Sequence, residues 1–162
     1  MTMKIQTAQR HLPATLLAAT CALLLSPDPA LALGDGPGSG PTPSPVSCAR
    51  LEAVDGDNVR CDGLNVRLVG WGLPGRGGFD AAETSTGGHA ECLEEGLIGD
   101  RATQRMRQLL RGDVELHLFE ERDRYGRGLG RLMLADGRTA GDVMLEEGYA
   151  REWPDGPEWW CE

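Results

Sequence analysis

The chain has 162 residues, of which 40% are apolar and 25% charged, and it contains 23 glycines and 10 prolines. This length and composition favour one compact domain with many turns and argue against a second domain. The formal net charge of −9 argues against a protein that is held on nucleic acid by a broad basic surface, because such binding grows with the number of phosphates that Lys and Arg neutralise. Any contact with nucleic acid must therefore be local.

Residues 1–32 have the features of a secretory signal peptide. Lys4 and Arg10 give a positive start, residues 12–25 are mostly apolar, and residues 30–32 form a small-residue cleavage site. The apolar run is shorter than the roughly 20 residues that a bilayer requires, so a membrane-spanning helix is the less favoured alternative. Lipid attachment at Cys21 is also less favoured, because residues 19–20 match a lipoprotein signal poorly. We expect an exported protein, periplasmic or extracellular, with no membrane span after signal cleavage.

The four cysteines that remain after this cleavage are expected to form disulfides, because an exported protein matures in an oxidising compartment. They are Cys48, Cys61, Cys92 and Cys161. Their spacing contains no C-x-x-C motif, which argues against a zinc site, and four cysteines admit three pairings. We favour Cys48 with Cys61, which would tie two strands of one hairpin, and Cys92 with Cys161, which would hold the tail to the middle of the chain.

Residues 33–46 are rich in Gly, Pro and Ser without an apolar period, which predicts a flexible linker before a domain at 47–162. The domain then begins with a predicted β-meander. Its strand candidates, separated by Asp-Gly turn dipeptides, are Cys48–Val54, Asn58–Asp62 and Asn65–Val69.

A glycine-rich segment, 71–78, precedes a long helix candidate. Apolar residues between positions 90 and 110 recur at spacings of mostly three or four, and Gly112 ends the pattern. Glycine weakens a helix by about 1 kcal/mol relative to alanine. A break near Gly99, with Asp100 capping a second helical piece, therefore remains open.

The sheet is predicted to resume after this helix. Residues 114–118 alternate apolar and polar side chains, residues 128–134 form another strand candidate, and residues 139–147 are predicted to form a short helix before Gly148. Three strands, a helix, two strands and a helix suit a mainly β fold with α elements, a small five-stranded barrel of the oligonucleotide/oligosaccharide-binding (OB) type.

Three separate stretches resemble the staphylococcal nuclease (thermonuclease) family, and together they span most of residues 48–150. They are VDGDNV at 54–59 continuing to VRLVG at 66–70, GFDAAET at 78–84, and DRYGRGLG at 123–130. The resemblance implies an OB fold with one long and one short helix. It also implies a monomeric, calcium-dependent nuclease, a hydrolase that cuts phosphodiester bonds in DNA and RNA.

The resemblance assigns a role to five residues. Asp57 and Asp80 would be calcium ligands, Glu83 would orient or deprotonate water, and a pair of arginines would hold the phosphate. That pair is Arg67 and Arg127. Calcium is a hard cation that takes oxygen ligands, and planar guanidinium groups donate paired hydrogen bonds to phosphate oxygens. Phosphoryl chemistry needs mainly positioning and charge stabilisation, which such a set can supply.

The sequence departs from the family pattern between the first arginine and the second metal ligand. Arg67 and Asp80 are 13 positions apart, whereas the family places the equivalent residues five apart, so residues 71–78 resemble an insertion. We expect the inserted loop to fold outward, at a small cost in chain entropy, and to let Arg67 and Asp80 meet. Asn58, Ala81 and Ala82 also replace residues that are usual in the family.

A second alignment leaves a different function open. It places residues 70–75 on the family's glycine-isoleucine-aspartate-threonine-proline-glutamate, so that Gly72 and Gly75 replace both acids. The chain would then be a catalytically inactive module for binding or assembly, with nucleic acid or cell-surface polysaccharide. Arg76, four residues before Asp80, is a lesser candidate than Arg67 for holding the phosphate.

Overall fold

The computed structural model describes residues 40–157 and 159–161. The predicted signal peptide, 1–32, and residues 33–39 of the predicted linker lie outside the described residues. The elements in chain order are β1 Ser44–Val46, β2 Leu51–Ala53, β3 Asn58–Cys61, β4 Leu64–Leu68, β5 Gly78–Ala81, α1 Leu93–Leu109, β6 Val114–Arg122, β7 Gly128–Leu134, α2 Ala140–Glu146 and β8 Ala150–Trp153. Within this described part, neither helix has the length and apolar character needed to cross a membrane.

Among the described residues, six strands form one sheet in the order β1-β6-β7-β4-β3-β2, and β4 pairs with β7 in parallel. The end strands β1 and β2 are separated by residues 47–50 alone. In a flat sheet of six strands the two edge strands would lie about 24 Å apart. The chain from Val46 to Leu51, which joins them, can span at most about 18 Å. The sheet must therefore curl, which is consistent with the predicted OB fold.

The strand count differs from the predicted five. The five predicted strands correspond to β2, β3, β4, β6 and β7, while β1, β5 and β8 are additional. Residues 44–46, predicted as the end of a flexible linker, pair with β6. Pro45 has no N–H to donate, but an edge strand tolerates it because one side of that strand needs no ladder partner. β5 and β8 form a separate two-stranded sheet.

The long helix α1 is continuous through Gly99, so the break left open above does not occur. A side chain at Gly99 would overlap the carbonyl oxygen of Glu83. Glycine is therefore needed there for close packing, although it weakens the helix locally. The packing face that includes Ala102 and Met106 is fully buried in the main core, and α1 lies against the segment that follows β5.

Both favoured disulfides are present, which confirms the predicted pairing. Cys48–Cys61 spans 13 positions and joins the start of the domain to β3. Cys92–Cys161 spans 69 positions and joins the residue before α1 to the tail. The Cys92 sulfur also accepts a hydrogen bond from the Glu95 backbone N–H at 3.3 Å, so the longer disulfide is built into the N-terminal cap of α1.

Removing the longer disulfide is expected to destabilise the protein more than removing the shorter one. The chain-entropy relation gives about 4 kcal/mol for a loop of 69 residues and about 3 kcal/mol for one of 13. Thermal unfolding should therefore show a lower melting temperature for Cys92→Ser/Cys161→Ser than for Cys48→Ser/Cys61→Ser. Equal melting temperatures, or the reverse order, would contradict this expectation.

Candidate active site

The loop between β2 and β3 positions Asp57. The Asp55 carboxylate accepts hydrogen bonds from the backbone N–H groups of Asp57, at 3.1 Å, and Asn58, at 2.7 Å. Such a side-chain-to-backbone turn fixes the loop locally. Asp57 is consequently turned inward, with only 4% of its surface exposed.

Three donors converge on the buried Asp57 carboxylate. They are the Arg67 guanidinium at 2.9 Å, the Asn58 side-chain amide at 2.7 Å and the Ala81 backbone N–H at 2.8 Å. These contacts favour the ionised form, but burial is the larger influence and raises the pKa of Asp57 to about 8. The charge of Asp57 therefore depends on the cations beside it.

Arg67 joins the two proposed metal ligands. Its Nη1 donates to Asp57, and its Nη2 donates to Asp80 Oδ1 at 2.6 Å and to the Phe79 carbonyl oxygen at 3.2 Å. The side chain of Arg67 is 20% exposed. The two acids that lie 23 positions apart in the sequence are thus brought to one guanidinium group.

The inserted segment, 71–78, leaves the sheet and returns to the same place. Gly72 donates its N–H to the Val69 carbonyl oxygen at 2.8 Å, and a side chain at Gly78 would come within 2.9 Å of that oxygen. Between these points Leu73 pairs with Arg76 in a local hairpin turn. Arg67 and Asp80 therefore meet across the base of the loop, as the first alignment requires.

In the second alignment, Gly72 and Gly75 take the positions of the family's aspartate and glutamate. Both glycines lie within this loop. No described atom outside the immediate chain lies within 4 Å of the site where a side chain on Gly75 would begin. Gly75 is thus at the outer tip, whereas Asp80 contacts Arg67. The geometry favours Asp80 over these glycines as the partner of Asp57. Arg76 belongs to the hairpin turn of the loop, as its pairing with Leu73 shows.

Arg127 is linked to Asp57 through the Asn58 side chain. Its Nη1 donates to the Asn58 side-chain oxygen at 3.0 Å, and its Nε donates to Asp123 at 2.6 Å. Asp123 also accepts the backbone N–H groups of Tyr125 and Arg127, both at 2.9 Å. The β6–β7 turn therefore holds the Arg127 guanidinium against the loop of Asp57.

Glu83 follows β5 and has an exposed side chain. Partial desolvation and the negative charges of Asp55 and Asp80 raise the pKa of Glu83, while His89 acts in the opposite direction. Asp55 and Asp80 are therefore the aspartates whose charges act on the Glu83 carboxylate. A carboxylate whose pKa is raised toward the working pH is better suited to proton transfer than an ordinary one.

Residues 77–156 match the family model described as staphylococcal nuclease homologue. These residues belong to that family. The match includes Asp80, Glu83 and Arg127, whereas Asp57 and Arg67 precede it. No curated protein matches the sequence. The family resemblance inferred from the sequence motifs is thus confirmed. The matched region, called the nuclease homologue domain below, begins at the end of the inserted loop.

Glu95 is a site residue that the sequence analysis missed. It is buried within the first turn of α1, with 5% of its surface exposed. One carboxylate oxygen accepts the Glu83 backbone N–H at 3.2 Å, and the other accepts the Glu91 backbone N–H at 2.6 Å. In the nuclease homologue domain, Glu95 therefore ties down both ends of the segment that carries Glu83. Its position three residues after Cys92, near a helix start, is the sequence feature that could have indicated it.

Arg151 is the second missed residue of the nuclease homologue domain. It pairs with Asp80 across the β5–β8 sheet, and its Nη2 and Nε lie 3.0 Å and 3.3 Å from Asp80 Oδ2. Its Nη1 also donates to the Gly156 carbonyl oxygen at 3.1 Å. Asp80 is therefore held between two guanidinium groups. The sequence could not indicate this contact because no strand was predicted at β8.

The chemistry of the donors in the candidate site fits a hard cation. Asp57 and Asp80 supply carboxylate oxygens, which calcium prefers, and backbone carbonyls and water commonly complete its ligand set. Within residues 40–157 and 159–161, no cluster of three or more His, Cys, Asp or Glu residues is placed to hold a metal ion. A bound calcium ion would therefore rely on the two aspartates, and it would compete with Arg67 for their oxygens.

Proposed function

We propose that the chain is an exported, calcium-dependent nuclease that hydrolyses phosphodiester bonds in DNA and RNA. The family match supports a nuclease-like domain. The contact of one guanidinium, Arg67, with both Asp57 and Asp80 is the observation that carries the proposal further. The two disulfides are compatible with export, since such bonds persist in oxidising compartments.

In the proposed reaction, Arg67 and Arg127 bind the phosphate oxygens from two sides. Planar guanidinium groups suit this task because they donate paired, charge-assisted hydrogen bonds as negative charge grows on the phosphate. Glu83 orients the attacking water or accepts its proton. Asp57 and Asp80 hold calcium, which when bound supplies positive charge to the phosphate.

A cleavage assay tests the proposal. The full-length protein, produced in an oxidising compartment, is incubated with single-stranded DNA or RNA in the presence of calcium or of a chelator. We expect both substrates to be cut with calcium and left intact with the chelator. Stable oligonucleotide binding without turnover in calcium would contradict the enzyme.

A catalytically inactive binding or assembly module is the second candidate. It is favoured by the closed ion-pair network, in which Asp80 is bound by both Arg67 and Arg151 and Asp57 is bound by Arg67. Such a network satisfies the carboxylates without a metal ion. The same assay distinguishes this candidate, which predicts binding of an oligonucleotide or a cell-surface polysaccharide without cleavage.

Calcium is expected to stabilise the protein if the two aspartates bind it. A ligand that binds only the folded state at 100 times its Kd adds about 2.7 kcal/mol, so the melting temperature should rise on calcium addition. Asp80→Asn should greatly reduce this rise, whereas Asp113→Asn, at an exposed position, should keep it. Differential scanning calorimetry gives the comparison, and an equal rise in both variants would exclude Asp80 as a ligand.

A further inference from the structure

A groove of about 670 Å³ lies between the β2–β3 hairpin and the end of α1. Three arginines contribute to its lining: Arg60 from β3, Arg107 from the last turn of α1 and Arg111 from the turn that follows. Glu52 is the acidic residue in the lining, and it forms an ion pair with Arg50 at 2.8 Å. The groove is therefore basic in a chain whose net charge is −9.

Two of these arginines have no protein partner in the described part of the chain. The side chains of Arg107 and Arg111 are exposed and make neither a hydrogen bond nor an ion pair with any described residue. Arg60 donates to the Asn65 side-chain oxygen at 2.9 Å, a neutral partner. The positive charge in the groove is thus available to an anionic ligand.

The groove adjoins the candidate active site along the chain. Val54 lines the groove and is also the first residue of the loop that carries Asp57. Three residue steps place the Cα atoms of Val54 and Asp57 at most about 11 Å apart. The end of the groove at Val54 therefore lies within about 11 Å of the Cα atom of Asp57, one of the two proposed metal ligands.

We propose that this groove binds the phosphates of the substrate strand beyond the phosphate that is cut. This inference rests on the proposed function. Guanidinium groups bind phosphate oxygens without reading the bases, so Arg60, Arg107 and Arg111 would hold a strand irrespective of its sequence. They supply the local contact with nucleic acid that an acidic chain requires.

The test compares a long and a short substrate. Arg107→Gln/Arg111→Gln in the full-length protein is assayed with a 20-nucleotide single strand and with a dinucleotide. The KM for the long substrate should rise about tenfold with kcat unchanged, while the KM for the dinucleotide should stay the same. Each lost phosphate contact should also reduce the salt slope of binding by about 0.7.

The matched control is Arg101→Gln, an exposed arginine on the same helix that does not line the groove. It should leave both KM values unchanged. Arg60→Gln serves as an independent second variant, and melting temperatures confirm that each variant is folded.

The outcomes separate this inference from the proposed nuclease. If the wild type cleaves the strand and the double variant has the same KM values as the wild type, the groove proposal is wrong and the nuclease proposal stands. Absence of cleavage, with strand binding that is lost in the double variant, supports the groove and overturns the nuclease. Absence of both cleavage and binding overturns both. Displacement of the strand by an acidic peptide at equal charge concentration would overturn nucleic acid as the ligand of this groove.

Discussion

Glu83→Gln is expected to lower calcium-dependent cleavage by about 10²- to 10⁴-fold, the usual contribution of a general base. The amide keeps the shape of the side chain but cannot accept the proton of water. The raised pKa of Glu83 and its position two residues after β5, the strand that carries Asp80, support this role. Rates measured at saturating DNA and calcium give the effect on kcat.

The same substitution should leave folding unchanged because the Glu83 side chain is exposed and its tie to Glu95 uses the backbone N–H. Glu94→Gln is the matched control, since Glu94 is also exposed and lies nearby in the first turn of α1. It should retain full activity. A Glu83→Gln protein that cuts at the wild-type rate would remove Glu83 from the proposed reaction.

Arg67→Ala is expected to abolish cleavage and to destabilise the fold by about 3–5 kcal/mol, the range seen when one member of a buried ion pair is removed. The Asp57 side chain is 5% exposed and would lose its charged partner, while Asp80 would keep its ion pair with Arg151. Urea unfolding, followed by fluorescence, measures the loss of stability.

The destabilisation should be partly relieved when the buried Asp57 carboxyl group, which has lost its partner, is also replaced. In the Arg67→Ala background, Asp57→Asn replaces a buried carboxylate by a neutral amide, so the double variant should be more stable than Arg67→Ala alone. Activity should not return, because both the phosphate-binding group and a proposed metal ligand are absent. Equal stabilities of the single and double variants would show that the unpaired Asp57 carboxyl group is not the cause of the loss.

Local sequence patterns predicted those strands and helices whose turn residues or apolar spacing are contained in the element itself. The strands β3 and β4 follow from Asp-Gly turns and β-branched residues, and α1 follows from its apolar spacing. By contrast, β1 and β8 lack such a period and become strands because partners pair with them. Their hydrogen bonds come from tertiary structure, which sequence periodicity does not report.

The candidate site shows the same division. Asp57, Arg67, Asp80, Glu83 and Arg127 were indicated by short motifs that keep their order along the chain. Glu95 and Arg151 were missed because their importance lies in what they contact. Glu95 accepts the backbone N–H of Glu83 and Arg151 donates to the Asp80 carboxylate, each from a different element of the fold. Such supporting contacts become visible only when helix packing and strand register are known.

The bent segment that carries β1 and β2 also affects how copies of this protein meet. It supplies both ends of the curled sheet, and each end strand has only three residues. Pro45 removes one backbone donor from β1. Short edges of this kind give a neighbouring chain little to pair with, which limits strand-mediated aggregation at high local concentration.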